Sequence, residues 1–290
     1  MTNKNNAISG CLRTPRLLVH SRELLFLGTC FGRQEAHRRT QDVLYVALKG
    51  SLRLRTGRGR PTTVRTCLVP TGLWIDESIL STSQAVVAVY FLAPFSQDHP
   101  ALASLMAEAL PGIFCNHPHE DDVVSAMVEV RRQPDISVGT ALSRVREPLF
   151  PDHVRNLEFR EYDPRVVHVA RRIRESLTAN MTLAELAEEV HLSESRLEKL
   201  FKEQAGLPVT QYRMRYRVFI STIIMALGYS VTEAALLAGF SSSAHLSRCY
   251  RAINGITPSA TFLQPPYVHA VLAPSAYRLV EPLLESQSVV

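Results

Sequence analysis

The sequence lacks several features that would assign its class at once. No apolar run approaches the roughly 20 residues that a membrane-spanning helix needs, and residues 1–15 are polar, without the hydrophobic core of a signal peptide. The five cysteines are odd in number, widely scattered and never in a Cys-x-x-Cys arrangement, which argues against a disulfide framework or a zinc finger. We therefore expect a soluble cytoplasmic protein with no membrane partner.

Catalytic motifs are also missing. There is no Gly-rich phosphate loop, nucleophile elbow or paired catalytic carboxylate pattern, so we predict no enzyme activity, no catalytic residue and no cofactor. The segment 115–122 contains metal-ligand residue types, but its His-Pro-His spacing is not a zinc pattern and its acids suit a helix N-terminus, so no metal site is predicted. The 32 basic residues against 27 acidic ones permit a polyanionic partner without requiring one.

The first half of the chain has the pattern of strands followed by helices. Alternating apolar residues over 48–54 predict one half-buried strand, and the runs 62–69 and 85–92 predict two more. From Pro100 the apolar spacing changes to that of helices. Three helical faces are expected: Leu102, Leu105, Met106 and Leu110; Val123, Val124, Met127 and Val128; Val138, Ala141, Leu142 and Val145.

The second half is predicted to be helical and contains an internal repeat. Thr182-x-x-Glu185 and Ser230-x-x-Glu233 are capping boxes 48 residues apart, and Ser193 and Ser241 are the expected N-caps of the helices that follow. Beyond the turn the offset becomes 49, as between Gly206 and Gly255, which indicates one inserted residue. A short helix, a turn and a second helix, present twice, predict two helix-turn-helix units.

Each unit has the composition of a DNA reader. Its second helix, over 193–204 or 242–251, has an apolar face for a small core and a polar face for solvent. Arg and His can hydrogen-bond guanine edges, whereas the lysines and Arg251 suit phosphate contacts. The predicted DNA-binding residues are Ser193, Glu194, Ser195, Arg196, Lys199 and Lys202 in the first unit, and Ser241, Ser242, Ser243, His245, Arg248 and Arg251 in the second.

The segment between the units predicts a continuous helix over 209–227, about 28 Å long at 1.5 Å per residue. One turn of B-DNA spans about 34 Å, so a rigid helix of this length could hold two recognition helices in successive major grooves. Residues 204–232 contain no acidic residue, while Arg213, Arg215 and Arg217 are basic. One apolar face is expected along this helix: Tyr212, Tyr216, Phe219, Ile223 and Leu227.

These residues resemble a known family. The run 183–187 with Leu192, Ser193, Phe201, Lys202, Gly206, Tyr212 and Arg217 is similar to the first motif and linker helix of AraC/XylS-type transcription regulators, and the runs 239–241, 245–248 and 257–259 with Tyr250 and Gly255 are similar to the second motif. The resemblance implies a sequence-specific regulator of transcription, with double-stranded DNA and RNA polymerase as partners.

That family commonly carries a cupin-like β-barrel for ligand sensing and dimerisation ahead of its DNA-binding part. The resemblance thus implies an α+β chain with a cupin-like domain over 1–155, a linker over 156–164, an all-α double helix-turn-helix domain over 165–264 and a tail over 265–290 without an assigned role. It also implies a homodimer formed through helices of the N-terminal domain. Candidate effector-binding residues are His37, Arg53, Arg55 and Trp74, and Trp74 stands where a metal-binding cupin often has a histidine, which favours a metal-free pocket.

Several alternatives stay open at this stage. The regulator could respond to a protein partner with no small-molecule ligand, and a catalytic metal-dependent cupin is a more distant alternative. The basic stripe of Lys49, Arg53 and Arg55, which continues to Arg58, Arg60 and Arg65, suits a solvated strand face better than an acidic ligand. Cys249 in the second recognition helix suits a small core residue better than a redox switch.

Overall fold

The computed structural model describes residues 14–29, 36–55, 61–76, 79–82, 85–177, 181–264 and 267–285; Arg58 and Arg60 lie outside these ranges. The strands are β1 Arg16–Val19, β2 Leu24–Thr29, β3 His37–Arg38, β4 Val43–Lys49, β5 Leu52–Leu54, β6 Thr62–Val64, β7 Thr66–Val69, β8 Trp74–Ile75, β9 Leu80–Ser81, β10 Val86–Phe91, β11 Ala107–Leu110, β12 Ile113–Cys115 and β13 His269–Leu272. The helices are α1 Asp98–Leu105, α2 Glu120–Arg132, α3 Val138–Leu149, α4 Asp152–Arg155, α5 Pro164–Glu175, α6 Leu183–Glu189, α7 Glu194–Ala205, α8 Val209–Ala226, α9 Val231–Leu237, α10 Ser243–Asn254, α11 Pro258–Phe262 and α12 Pro274–Glu285.

The main sheet has eight strands in the order β11-β12-β7-β4-β10-β2-β1-β13. Its neighbours are antiparallel except for β13, which comes from the tail and runs parallel to β1. Two small sheets, β3-β8 and β6-β5-β9, accompany it. The expected α+β class, with a β-rich N-terminal domain and a helical C-terminal domain, is therefore confirmed, and the tail contributes the last strand of the N-terminal sheet.

Two of the predicted elements are wrong at their boundaries. The expected single strand over 48–54 is two strands, because the chain turns at Gly50, which has a φ of 80°. As a result, Leu48 and Leu52 lie in different hydrophobic cores. The expected helix through Leu110 ends at Leu105, and the residues that follow pair with β12 instead. A short apolar run fits both periods, so the local sequence does not distinguish helix from strand there.

Three hydrophobic cores hold the molecule together. One face of the main sheet packs against α1, α2 and α3. The opposite face shares a single core with α8, the second helix-turn-helix unit and α12. The first unit has a separate core with α5 and the start of α8. The sheet therefore shares a core with the second unit, whereas the core of the first unit is separate from it.

Candidate nucleic-acid interface

The first unit comprises α6, a turn and α7. The Thr182 hydroxyl accepts a hydrogen bond from the Glu185 amide and the Glu185 carboxylate accepts one from the Thr182 amide, so both halves of the predicted capping box are present. His191 takes the left-handed turn with a φ of 55°, and Ser193 caps α7 by accepting from the Arg196 amide. The buried residues Leu186, Ala187, Val190, Leu197 and Phe201 form the predicted core.

The second unit, α9, a turn and α10, repeats this plan. Ser230 and Glu233 form the second capping box, and Gly239 takes the left-handed turn with a φ of 79°. The core residues of this unit are all buried: Ala234, Ala235, Ala238, Phe240, Leu246 and Tyr250. Glycines in the left-handed conformation, Gly206 and Gly255, end α7 and α10.

The structure locates the inserted residue of the repeat at Ser241. The turn residues His191 and Gly239 are 48 apart, but the N-cap of α10 is Ser242, which is 49 residues after Ser193. The expected N-cap role of Ser241 is therefore wrong. Its hydroxyl instead hydrogen-bonds Nδ1 of His245 at 3.1 Å, and the His245 ring packs edge-on against Phe240, so the extra residue fixes the orientation of a predicted DNA-contacting side chain.

The predicted DNA-contacting residues lie on two similar helix faces. In the first unit all six are exposed, and Lys199 pairs with Glu203 one helical turn away. In the second unit Ser241, Ser242, Arg248 and Arg251 are exposed, whereas Ser243 and His245 are half-buried. Each face thus presents basic and hydroxyl side chains at the surface, which is the composition that phosphate and base-edge contacts require.

The helix between the units, α8, is unbroken over its 18 residues, about 27 Å at 1.5 Å per residue. The expected single apolar face is wrong, because every residue from Arg215 to Met225 is buried, whereas Leu227 is exposed. The sheet, the second unit and α12 surround the helix, and a helix buried on all sides is hydrophobic all round. This explains the isoleucines of its second half.

The three arginines of α8 serve the interior rather than a DNA surface. Arg215 donates to Oε1 of Gln41 at 2.8 Å and lies over the Tyr212 ring, and burial lowers its pKa. Burial also lowers the pKa of Arg217, whose guanidinium lies beneath the turn at Gly239. Arg213 donates to the Met181 carbonyl. The helix therefore uses its basic side chains to join the first half of the chain and both units.

A cavity lies between the sheet and α8. It encloses about 990 Å³ of empty space, counting its opening to solvent. Its walls are mainly apolar side chains of the sheet and of the second unit, including Phe26, Val89 and Tyr250, and its basic groups are Arg39 from the first half and Arg215 from α8. The Arg39 guanidinium lies 5.2 Å from the centre of the Tyr45 ring, which is also part of the wall.

The effector residues predicted from the sequence lie elsewhere. His37 is buried in β3, which packs against α10, while Arg53 and Arg55 are exposed at β5 and Trp74 is 61% exposed at β8. None of the four lines the cavity between the sheet and α8. The sequence does not connect Arg39 with Arg215, because only the packing of α8 against the sheet makes both of them line one cavity.

Neither a metal site nor a membrane span is evident in the part of the chain that the structure describes. No group of three His, Cys, Asp or Glu side chains is arranged there to hold an ion. In the segment 115–122, His117 is buried, its Nε2 lies 3.1 Å from the Leu149 carbonyl oxygen and its Nδ1 accepts from the His119 amide. No described helix is long and apolar enough to cross a membrane.

Comparison with known proteins places these observations in a family context. Residues 186–264 match the family model described as a helix-turn-helix domain. The chain is 29% identical over 96 residues to the HTH-type transcriptional regulator GbdR of Pseudomonas aeruginosa, covering 33% of this chain and 26% of that protein, so it matches about a quarter of that relative's length. Among solved structures, ToxT from Vibrio cholerae has the same fold, with a TM-score of 0.53 at 14% identity over 82% of this chain and 97% of ToxT. A ToxT structure described as bound to an unsaturated fatty acid matches with a TM-score of 0.50 at 14% identity, over 82% and 94% of the two chains.

Proposed function

Residues 186–264 form a helix-turn-helix domain of the AraC type, and from this we propose that the protein is a sequence-specific DNA-binding transcription regulator. Its two recognition helices, α7 and α10, enter adjacent major grooves of one asymmetric site. The N-terminal half senses a signal and forms a homodimer, and the DNA-bound protein contacts RNA polymerase in the cytoplasm.

One observation carries this proposal: two units with equivalent caps and cores are joined by a single unbroken helix of 18 residues. Because α8 is buried on all sides over 215–225, it holds the spacing of the units rigidly. Its length of about 27 Å is near the 34 Å or so of one DNA turn, once the widths of the units that flank it are added.

The DNA-binding part is tested with one arginine from each recognition helix. Arg196→Ala and Arg248→Ala should each weaken binding to the cognate site by about 1–3 kcal/mol, the size expected for a lost base contact. Binding to scrambled DNA should change less. Gel-shift titrations on both DNAs, after genome-wide capture has identified the cognate site, measure the difference. Lys202→Ala is the matched phosphate-contact control, and equal losses on both DNAs for the arginine variants would contradict the assignment to base contacts.

The cavity between the sheet and α8 supports a small-molecule effector. A mainly apolar space lined by Arg39 and Arg215 suits a ligand with a hydrocarbon part and a carboxylate. The fatty acid in the ToxT structure is a ligand of this chemical class. A carboxylate between these residues would join the first half of the chain to α8, which carries the second unit, so ligand binding would act on how the units are presented.

Oleate is a suitable probe for this site. A ligand that binds only the folded protein raises its thermal unfolding midpoint, so oleate should raise the midpoint of the wild type and of Arg217→Met, but not of Arg215→Met. Arg217 is the matched control, because it is buried on the same helix and does not line the cavity. No shift with the wild type would contradict a fatty-acid effector and would favour a regulator that responds to a protein partner.

A further inference from the structure

Two cysteines face each other across neighbouring strands of the main sheet. Cys67 in β7 and Cys115 in β12 are directly opposite in the antiparallel register, and both are buried on the side of the sheet that faces α8. Each thiol shifts the pKa of the other. In sequence they are far apart, and neither the repeat nor the predicted interface uses them.

The backbone hydrogen bonds define the geometry of this pair. The Asn116 amide donates to the Thr66 carbonyl, so these neighbours form a hydrogen-bonded pair and Cys67 and Cys115 form the adjacent non-hydrogen-bonded pair. Residues opposite each other at such a position have Cα atoms about 4.5 Å apart, within the range of about 4.4–6.8 Å found for disulfides. A disulfide can therefore form with little movement of the strands.

Neighbouring contacts hold the two strands in this register. Thr66, next to Cys67, accepts a hydrogen bond from the His117 amide at 2.8 Å and donates one to the Glu120 carboxylate at 2.5 Å. On the other side, the outermost strand of the sheet is β11, most of whose residues are exposed. An exposed edge hairpin opens locally more readily than the centre of a sheet, and this gives a small molecule a route to the thiols.

From this arrangement we propose that Cys67 and Cys115 are a thiol–disulfide site that hydrogen peroxide oxidises and a dithiol reduces. A thiolate at Cys115 attacks the peroxide, an S–O bond forms as the O–O bond breaks, and the departing hydroxide takes up a proton to leave as water. The Cys67 sulfur then attacks the sulfenic sulfur, and the S–S bond forms as the S–O bond breaks. The hydroxide that leaves takes the Cys67 proton, so two thiols and one peroxide give one disulfide and two waters.

The order of attack follows from the places of the two thiols in the sheet: Cys115 is in β12, next to the edge strand β11, whereas Cys67 is in β7, between β12 and β4. The neighbouring Cys67 thiol also lowers the pKa of Cys115, whereas the Cys115 thiol and burial raise the pKa of Cys67. Cys115 is therefore the thiol that ionises first and reacts first with the oxidant. Cys249, by contrast, has its pKa raised by burial. Of these three cysteines, the structure thus favours Cys115 as the attacking thiol and Cys67 as the resolving one.

Oxidation at this site would affect the wall of the cavity. Cys67 is opposite Tyr45 in the pairing of β7 with β4, and the Tyr45 ring is part of the cavity wall beneath Arg39. A bond between β7 and β12 would restrain this wall. If the cavity binds the proposed effector, the oxidised protein should bind it with a changed affinity; this consequence rests on the proposed function, whereas the disulfide itself does not.

The test uses the full chain with Cys11, Cys30 and Cys249 changed to Ser, so that the pair alone remains. After brief treatment with hydrogen peroxide, the protein is unfolded, alkylated and weighed by mass spectrometry. We expect the loss of both alkyl labels, a mass lower by two hydrogen atoms, one peptide pair linking Cys67 to Cys115, and full reversal by dithiothreitol. The thermal unfolding midpoint should rise by several degrees in the oxidised form, since the bond closes a long loop.

Cys67→Ala and Cys115→Ala in the same background are the controls, and neither should form an intramolecular link. With Cys67→Ala, Cys115 should stop at the sulfenic acid, which dimedone traps. Two thiols that remain fully alkylated after a peroxide treatment that oxidises an exposed methionine would overturn the proposal. A link that runs between two molecules would overturn it as well. All these readouts are independent of DNA and of any ligand, so they can succeed or fail separately from the proposed function.

Discussion

The core of the first helix-turn-helix unit is nearly closed, whereas that of the second is continuous with the face of the β-sheet. The buried residues of the first core all come from the helical domain, and Phe95 is the partly buried residue that the first half adds to it. The second core includes residues of the sheet, of α8 and of α12. Two units with the same helices, turns and caps thus differ in which other elements share their cores.

The difference extends to the helix that packs against each unit, which is α5 for the first unit and α8 for the second. On α5, His168 and Arg172 bind Glu189 of the first unit at the surface. The residues 48 positions later are Tyr216, Ile220 and Leu237, all buried. The polar cluster in the first unit is therefore an apolar cluster in the second, because the sheet and α12 cover α8 while α5 stays at the surface. We infer that a change in the N-terminal half acts mainly on the second unit.

The largest expected effect comes from equivalent core leucines. Leu197→Ala and Leu246→Ala each remove a fully buried side chain, so each should lower the free energy of unfolding by about 2–5 kcal/mol. The two substitutions should differ in which segments lose amide protection. Leu246→Ala should reduce amide protection in β2, β10 and the second half of α8, which share its core. Leu197→Ala should reduce it in α5, α6, α7 and the start of α8, and not in β2 or β10.

Hydrogen exchange followed by mass spectrometry measures the loss of amide protection in each segment. The two variants serve as controls for each other, because the substitution and the starting exposure are the same. Equal loss of protection in β2 and β10 for both variants would show that both cores are coupled to the sheet to the same extent, which would contradict a separate core for the first unit.

A smaller effect is expected at the point where the first unit touches the sheet domain. A Cβ at Gly206 would lie 3.1 Å from the Thr71 side chain, and Thr71 is held by two hydrogen bonds to the Asp42 carboxylate. Gly206 has a φ of 75°, so Gly206→Ala should cost about 1–2 kcal/mol in backbone strain and should also loosen this contact. Exchange should rise in the loop 70–73 as well as at the end of α7.

Gly228→Ala is the matched control. Gly228 has a φ of 96° and no atom within 4 Å of an added Cβ, so this variant carries the strain without the contact. Chemical denaturation gives the stability of each variant, and hydrogen exchange gives the response of the loop. Unchanged exchange in the loop 70–73 with Gly206→Ala would mean that this contact does not join the first unit to the sheet.

Much of this molecule could be predicted from the sequence because the features are local. The capping boxes, the turn residues and the cores of both units follow from spacings within about 30 residues, and the repeat gave an internal check on them. The length of α8 also came from local periodicity.

What escaped prediction depends on pairing between distant segments. The tail gave no local sign that β13 would extend the sheet beside β1, and nothing near Cys67 indicates that Cys115 lies opposite. The arginines of α8 have a basic pattern that is compatible with DNA contacts, yet the sheet buries Arg215 and pairs it with Gln41. Burial of a face by residues far along the chain is a tertiary property, and local periodicity does not report it.

The smallest expected effect is a difference in acid sensitivity between the units. Hydrogen bonds from Arg172 and then His168 lower the pKa of Glu189 below its ordinary value of 4.5. A carboxyl with a lowered pKa in the folded state adds stability above that ordinary value, and this stability is lost as the pH falls through the lowered one. The capping carboxylates Glu185 and Glu233 also have lowered pKa values, but they occur in both units and therefore affect both alike.

Below about pH 4.5, then, the contact of α5 with α6 should weaken before that of α8 with α9. Amide protection factors, corrected for the intrinsic exchange rate at each pH, should fall in α5 and α6 while those of α8 and α9 hold. Glu189→Gln removes the titrating group, so its α6 should already be slightly less protected at neutral pH and should show less further loss in acid. Acid sensitivity as large in Glu189→Gln as in the wild type would place the titrating group elsewhere, and the ion pairs of Glu189 would then not account for the acid response of the contact between α5 and α6.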